Sequence, residues 1–190
     1  MYGKEFGYTI KLLAIGKRKG DNIEVRVHPA FVPERHPLAS VHDAYNAIFI
    51  EGDAVGKLML YGQGAGASPT ASAIISDMIV ASQTVNHRYT TFQNTESASS
   101  QINFVDNWKG KYYIRLIVPD EPGVLANVAA IFADYNISLE TVVQKSKGQH
   151  EVPILFITHL AYEKDIESAL NKMKETHAII DVASLIRVER

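Results

Sequence analysis

The chain has 190 residues, 46% of them hydrophobic, and 19 Lys and Arg against 21 Asp and Glu give a formal net charge of −2. That balance argues against a nucleic-acid binder working through a basic face, and the absence of cysteine excludes a disulfide framework, a thiolate metal site and a thiol nucleophile. No apolar run approaches the length needed to span a bilayer, and Met1-Tyr2-Gly3-Lys4-Glu5 carries no signal-peptide pattern, so a cytoplasmic protein without membrane or nucleic-acid partners is expected.

Residues Tyr8 to Gly16 read as a strand, and Lys17 to Asn22 as a charged turn. Ile23 to Val27 alternates strictly, with Ile23, Val25 and Val27 on one face and Glu24 and Arg26 on the other, which gives an antiparallel hairpin with one wet face. His28-Pro29-Ala30-Phe31-Val32-Pro33 is expected to end that strand with its two prolines. Leu38 to Val41 forms one short turn, and strands follow at Tyr45–Glu51 and Lys57–Tyr61 across the turn Gly52–Gly56.

Gly62-Gln63-Gly64-Ala65-Gly66-Ala67-Ser68-Pro69-Thr70 then reads as strand, glycine turn, helix, with Ser68 as cap and Pro69 at the first helical position. Glycines let a backbone approach a ligand closely, and a helix N-terminus favours an anion, so Gly62, Gly64, Ala65 and Gly66 are candidate cofactor contacts; the other reading is a plain tight turn. The helix runs to about Asn86 with Ile74, Met78, Ala81 and Val85 in one stripe, and nothing before it is an obvious partner for that stripe. Residues 87–110 are polar and read as a linker.

From Lys111 the pattern is strand 112–118, helix from Val124, strand 137–144, strand 152–160, helix 163–177, strand 182–188. This β-α-β-β-α-β order is the ferredoxin-like arrangement, with both helices on one sheet face. The other face is half apolar, so it or an edge strand is expected to pair with a second copy.

The seven histidines show neither helical i,i+4 pairing nor a carboxylate at metalloprotease spacing, and no metal site is expected. Ser68 has no evident base partner. Gly62-x-Gly64-x-Gly66 lacks the G-x-G-x-x-G spacing and the acidic ribose reader of a dinucleotide fold. Asp120-Glu121-Pro122-Gly123-Val124-Leu125 opens a helix with backbone N–H groups that suit the carboxylate of a small amino acid, or else simply joins strand to helix.

Two resemblances follow. The turn at 120–125, set between strand and helix and followed by Asn136-Ile137-Ser138, resembles that of ACT domains, regulatory modules that pair through their sheets and bind amino acids at the interface. The ordered set Val27-His28-Pro29, His36-Pro37-Leu38-Ala39-Ser40-Val41, Asn46-Ala47-Ile48, Gly62-Gln63-Gly64-Ala65-Gly66 and Pro69-Thr70-Ala71 resembles homoserine dehydrogenase, whose monofunctional bacterial members end in an ACT domain. The resemblance implies an α+β chain: residues 1–86 as the C-terminal portion of the catalytic domain with a returning helix, 87–110 as linker, and 111–190 as the ACT domain. It implies a parent enzyme reducing L-aspartate 4-semialdehyde to L-homoserine with NADP or NAD in threonine, methionine and isoleucine biosynthesis. It implies threonine feedback at Asp120, Gly123, Val124, Leu125, Asn136 and Ile137, and a homodimer or larger assembly. The family's dinucleotide fingerprint and substrate-site lysines and acids are missing from this sequence. The chain is therefore expected to be a C-terminal fragment, inactive alone, with no catalytic residue and no bound cofactor. A stand-alone amino-acid-binding module without chemistry is the alternative.

Overall fold

A computed structural model describes residues 2–83, 102–144 and 150–189. The chain forms two compact units, 1–33 with 102–190, and 34–101. This spatial division cuts elsewhere than the sequential boundaries at 86 and 110, because the first hairpin lies with the C-terminal strands. Most of the expected linker falls outside the described residues.

In the first unit, α1 (Tyr2–Glu5) leads into β1 (Tyr8–Lys19) and β2 (Asn22–Pro33), paired antiparallel from Tyr8↔Pro33 to Lys19↔Asn22. The strand does not end at Pro29. The carbonyls of Ile23 and Phe31 accept from Val105 and Glu189, so odd-numbered residues of β2 turn their backbone groups away from β1. Pro29 and Pro33 are odd-numbered, and their missing N–H groups leave the β1 ladder intact. The alternation of the hairpin is as expected but its polarity is inverted. Arg26 and His28 are 8% and 7% exposed, whereas Val25 and Val27 are 59% and 70% exposed.

Short β5 (Asn103–Phe104) pairs with the start of β2. Then come β6 (Lys109–Pro119), α3 (Val124–Asp134), β7 (Leu139–Gln144), β8 (Glu151–Thr158), the two-residue β9 (Ala161–Tyr162), α4 (Glu163–Glu175) and β10 (Asp181–Val188). The sheet order is β1-β2-β10-β6-β8-β7. Its last four strands are the ferredoxin-like set, and β2 adds to them parallel to β10 through Arg187↔Ala30 and Val188↔Phe31. The β10 edge of that set is thus taken by the chain's own hairpin.

The periodic apolar positions of α3 and α4, Val128, Ile131, Phe132, Ile166, Leu170 and Met173, pack on Tyr112, Ile114, Leu116, Ile154 and Phe156. The opposite sheet face holds a smaller cluster of Phe31, Tyr113, Leu155, Ile157 and Val188. Beyond it Ile10, Leu12, Val25 and Val27 are exposed.

In the second unit, a 3-10 turn (Pro37–Ser40) precedes β3 (Tyr45–Gly52) and β4 (Gly56–Gln63), which form a two-stranded antiparallel sheet. Helix α2 (Ala67–Gln83) follows, and none of its residues is buried. Its expected end near Asn86 lies outside the described residues.

Candidate functional sites

The glycine turn is built at the end of β4. The Gly64 N–H donates to the Ala44 carbonyl at 3.0 Å, and Tyr45 and Tyr61 stack with ring centroids 4.8 Å apart, which fixes the strand ends. The three glycines have different reasons to be glycine. Gly66 has φ of 126°, a conformation L side chains rarely adopt. A Cβ on Gly64 would run into the Asn46 amide, whereas a Cβ on Gly62 would meet nothing within 4 Å. The Gly66 carbonyl accepts from the Thr70 N–H at 3.1 Å, so Gly66 is the capping residue. Helix α2 therefore starts at Ala67, two residues before its expected start, with Ser68 and Pro69 inside the first turn. Ser68 does not cap; the turn already forced by Gly66 places the cap there. Gly62, Gly64, Ala65 and Gly66 are all exposed, as are Ala67 and Ser68 at the helix start.

The second candidate site is the start of α3. Gly123 has φ of 93°, and its carbonyl accepts from the Asn127 N–H at 2.9 Å. The Gln144 amide donates to Asp120 Oδ1 at 3.3 Å, tying the turn to β7. Asp120, Gly123 and Leu125 are exposed and Val124 is half-buried. Asn136 and Ile137 are not brought to the same place. They lie past the far end of the 11-residue α3, roughly 16 Å along its axis. Asn136 takes φ of 55°, the usual left-handed helix ending, and Ile137, 4% exposed, is part of the core.

A buried polar network, not anticipated from the sequence, joins the hairpin to the C-terminal strands. Arg26 donates to Glu189 Oε1 at 2.6 Å and from Nε to His28 Nε2 at 3.0 Å, and its guanidinium lies 5.2 Å from the Trp108 ring centroid. Lys17 pairs with Glu189 at 3.2 Å. Tyr112 Oη donates to Glu163 Oε2 at 2.7 Å, and Arg187 pairs with the same carboxylate. Burial pushes the Tyr112 hydroxyl pKa up, reinforced by Glu163. Burial raises the Glu189 carboxyl, but Arg26 and Lys17 outweigh it and hold it below the usual range. Burial pushes the His28 imidazole pKa down; Arg187 and Arg26 act in the same direction, against its contact with the Pro29 carbonyl and the charge of Glu189. Accepting from Arg26 at Nε2 leaves the ring proton on Nδ1, the neutral tautomer. The signal was present in the sequence as Arg26 and His28 alternating with valines, but a polar strand face ordinarily reads as solvated.

Among the described residues no group of three or more His, Asp or Glu is placed to hold a metal ion, and no helix is long and apolar enough to cross a membrane.

Strands in the order β10-β6-β8-β7, two helices on one face and a glycine turn opening the first helix define a domain of the ACT class, and the ACT domain model matches residues 112–178. Residues 1–79 match the homoserine dehydrogenase model. The chain belongs to the homoserine dehydrogenase family. It is 37% identical over 195 residues to the homoserine dehydrogenase of Neisseria gonorrhoeae, an alignment covering 99% of this chain and 45% of that protein. It is 39% identical over 189 residues to that of Helicobacter pylori, covering 99% and 44%. The crystal structure of a homoserine dehydrogenase from Thiobacillus denitrificans superposes with a TM-score of 0.85 at 37% identity, covering 99% of this chain and 44% of that one. The chain thus spans somewhat less than half the length of these relatives.

Proposed function

We propose that the chain is the C-terminal part of an enzyme that reduces L-aspartate 4-semialdehyde to L-homoserine with NADP or NAD, and that its ACT domain senses an amino acid, threonine first among the candidates. The observation carrying this reading is the likeness along the whole chain to homoserine dehydrogenases, including the structure from Thiobacillus denitrificans. A stand-alone sensor would give no reason for residues 1–79 to match that family.

A nicotinamide cofactor would supply the hydride. This chain's own contribution is a backbone edge. The open side of Gly62 and the start of α2 offer a cofactor backbone to approach, whereas the Cβ side of Gly64 is taken by Asn46. The 190 residues contain no G-x-G-x-x-G, so nucleotide binding requires the rest of the enzyme. The exposed apolar side chains Ile74, Ile75, Met78 and Ile79 give α2 a surface for packing against such a domain. The uncovered strip of Ile10, Leu12, Val25 and Val27 offers a second copy a surface to cover, in keeping with a dimer or more. We place the enzyme in the cytoplasm.

The effector is proposed to bind at Asp120, Gly123, Val124 and Leu125, its carboxylate on the N–H groups opening α3. Asn136 and Ile137 can reach the same ligand only from a second copy.

The test joins the dinucleotide-binding half of the Neisseria gonorrhoeae relative to this chain. The fusion should oxidise NAD(P)H with aspartate semialdehyde, and the 190-residue chain alone should not. A soluble fusion without activity overturns the catalytic reading. Calorimetry of the chain with threonine, isoleucine and methionine tests the regulatory one. Heat with one of them, lost in Asp120→Asn, is expected; no heat from folded protein overturns it. Coupling of effector to catalysis is expected at about 1–3 kcal/mol.

A further inference from the structure

The sheet face opposite α3 and α4 carries a cleft of about 430 Å³ between α1 and the strands β1, β2, β6 and β10. Neither the glycine turn nor the effector turn uses it. Its apolar wall is Phe31 and Tyr113, whose rings meet edge to face with centroids 4.9 Å apart. Its polar groups are Lys4, Arg115 and Ser184. Arg115 and Ser184 are cross-strand partners, and the register of β10 shifts between Val182 and Ser184, the kind of bulge that re-aims side chains beside a site. The Ser184 hydroxyl donates to the Ala183 carbonyl at 2.6 Å. A Cβ on Gly3 would lie 2.9 Å from the Phe31 ring, so glycine is what lets α1 settle against that ring and bring Lys4 to the cleft.

The charge of the cleft is one-sided. Arg115 Nε is buried and has no hydrogen-bond partner among the described residues. A buried donor left unpaired is destabilising, and in a native fold it calls for an acceptor. No Asp or Glu is among the residues lining the cleft, so no carboxylate there pairs with an ammonium group. Two cations without an acid disfavour a zwitterionic amino acid and favour two negative charges. A guanidinium with its Nε unpaired can donate that N–H to an oxyanion, and an ammonium adds a point charge.

We propose that this cleft binds a small organic dianion whose oxyanion sits on Arg115 and Lys4 and whose carbon body lies against Phe31 and Tyr113. The shared chemistry is a doubly charged oxyanion, either a phosphomonoester or a dicarboxylate. It is a ligand site on the opposite sheet face from α3, and it stands whether or not threonine binds at Gly123.

Calorimetric titration of the 190-residue chain with phenyl phosphate, inorganic phosphate and succinate tests it, with L-threonine as the zwitterionic control. Saturable binding of at least one dianion is expected. Phenyl phosphate above inorganic phosphate indicates a contribution from the aromatic wall, and the ratio of phenyl phosphate to succinate identifies the source of the charge. Arg115→Gln should weaken binding by about tenfold or more, with Arg115→Lys recovering part of it. Lys4 is exposed, so Lys4→Gln keeps the fold, and it should weaken binding severalfold. The proposal is overturned if no dianion binds, if binding is unchanged in both Lys4→Gln and folded Arg115→Gln, or if threonine competes for the same site as well as the dianions do.

Discussion

Gly62, Gly64 and Gly66 look alike in the sequence, yet the structure gives each a different tolerance. Gly66→Ala puts a side chain at φ of 126°, and Gly64→Ala drives one into Asn46. Each should destabilise the second unit by about 1–3 kcal/mol, read as a lower denaturant midpoint. Gly62→Ala should leave the midpoint within about 0.5 kcal/mol of the parent. The Gly64 effect has a specific partner, so adding Asn46→Ala should relieve much of it while leaving the Gly66 effect untouched. In an active full-length enzyme Gly62→Ala separates fold from function: raised KM for the nucleotide with unchanged stability marks Gly62 as a cofactor contact. At His28 the corresponding issue is charge. Its pKa is lowered in the folded state from an ordinary 6.5, so below that value the unfolded chain takes up a proton that the folded chain refuses. Stability therefore rises with pH through this window and falls on acidification toward the folded pKa. His28→Gln should flatten the dependence just below about pH 6.5 in denaturation melts. A residual slope should remain from His36, which burial and then Lys57 also lower, and a further loss at lower pH from Glu189, whose depressed carboxyl contributes stability only while ionised. A slope unchanged in His28→Gln would show that His28 does not carry it.

The elements of the C-terminal half were legible because their signals are local. Val128, Ile131 and Phe132, and Ile166, Leu170 and Met173, recur at helical spacing, and the βαββαβ order follows from them. Strand β2 was not legible past Val27, since proline signals the end of a strand unless the side of its missing N–H is known. That side depends on which neighbour lies across from it, and the neighbour is β10, more than 150 residues away in sequence. The same distance hid the burial of Arg26, whose partner Glu189 sits 163 residues on. Of the effector set, the Gly123 turn was legible from Pro122-Gly123 alone. The separation of Asn136 and Ile137 from it was not, because it depends on where α3 ends. Ala30 is the contrasting position in β2. Its N–H faces β1, the side opposite to that of Pro29 and Pro33, and it is 0% exposed. Ala30→Pro should orphan an acceptor of the β1 ladder and destabilise the first unit by about 1–3 kcal/mol, although two prolines nearby are harmless. A midpoint unchanged in Ala30→Pro would mean that the strand carries no ladder there.

For the whole molecule, the division into units makes the N-terminal hairpin a structural part of the C-terminal domain. Phe31 is the side chain on which this rests. It is 3% exposed, stacks on Tyr8 at 5.8 Å and meets Tyr113 edge to face, and the Glu189 N–H donates to its carbonyl at 2.9 Å. Truncating it removes a buried aromatic from the smaller cluster and leaves a cavity, which costs about 3–5 kcal/mol. Phe31→Ala should therefore lower the unfolding midpoint of the first unit steeply. The single tryptophan, Trp108, lies in that unit against Arg26, so its fluorescence reports the transition directly. The β3–β4 sheet shares none of these contacts, and hydrogen exchange of its paired amides, Tyr45 to Gly52 with Gly56 to Gln63, should be unaffected. Exchange that speeds up in β3–β4 in step with the loss of Trp108 fluorescence would show one cooperative body in place of two. Unaltered exchange beside a lowered fluorescence midpoint would show that the hairpin's stability belongs to the C-terminal domain. A change sensed by that domain would then reach β1 and β2 directly, through the Phe31 cluster and the Arg26–Glu189 pair.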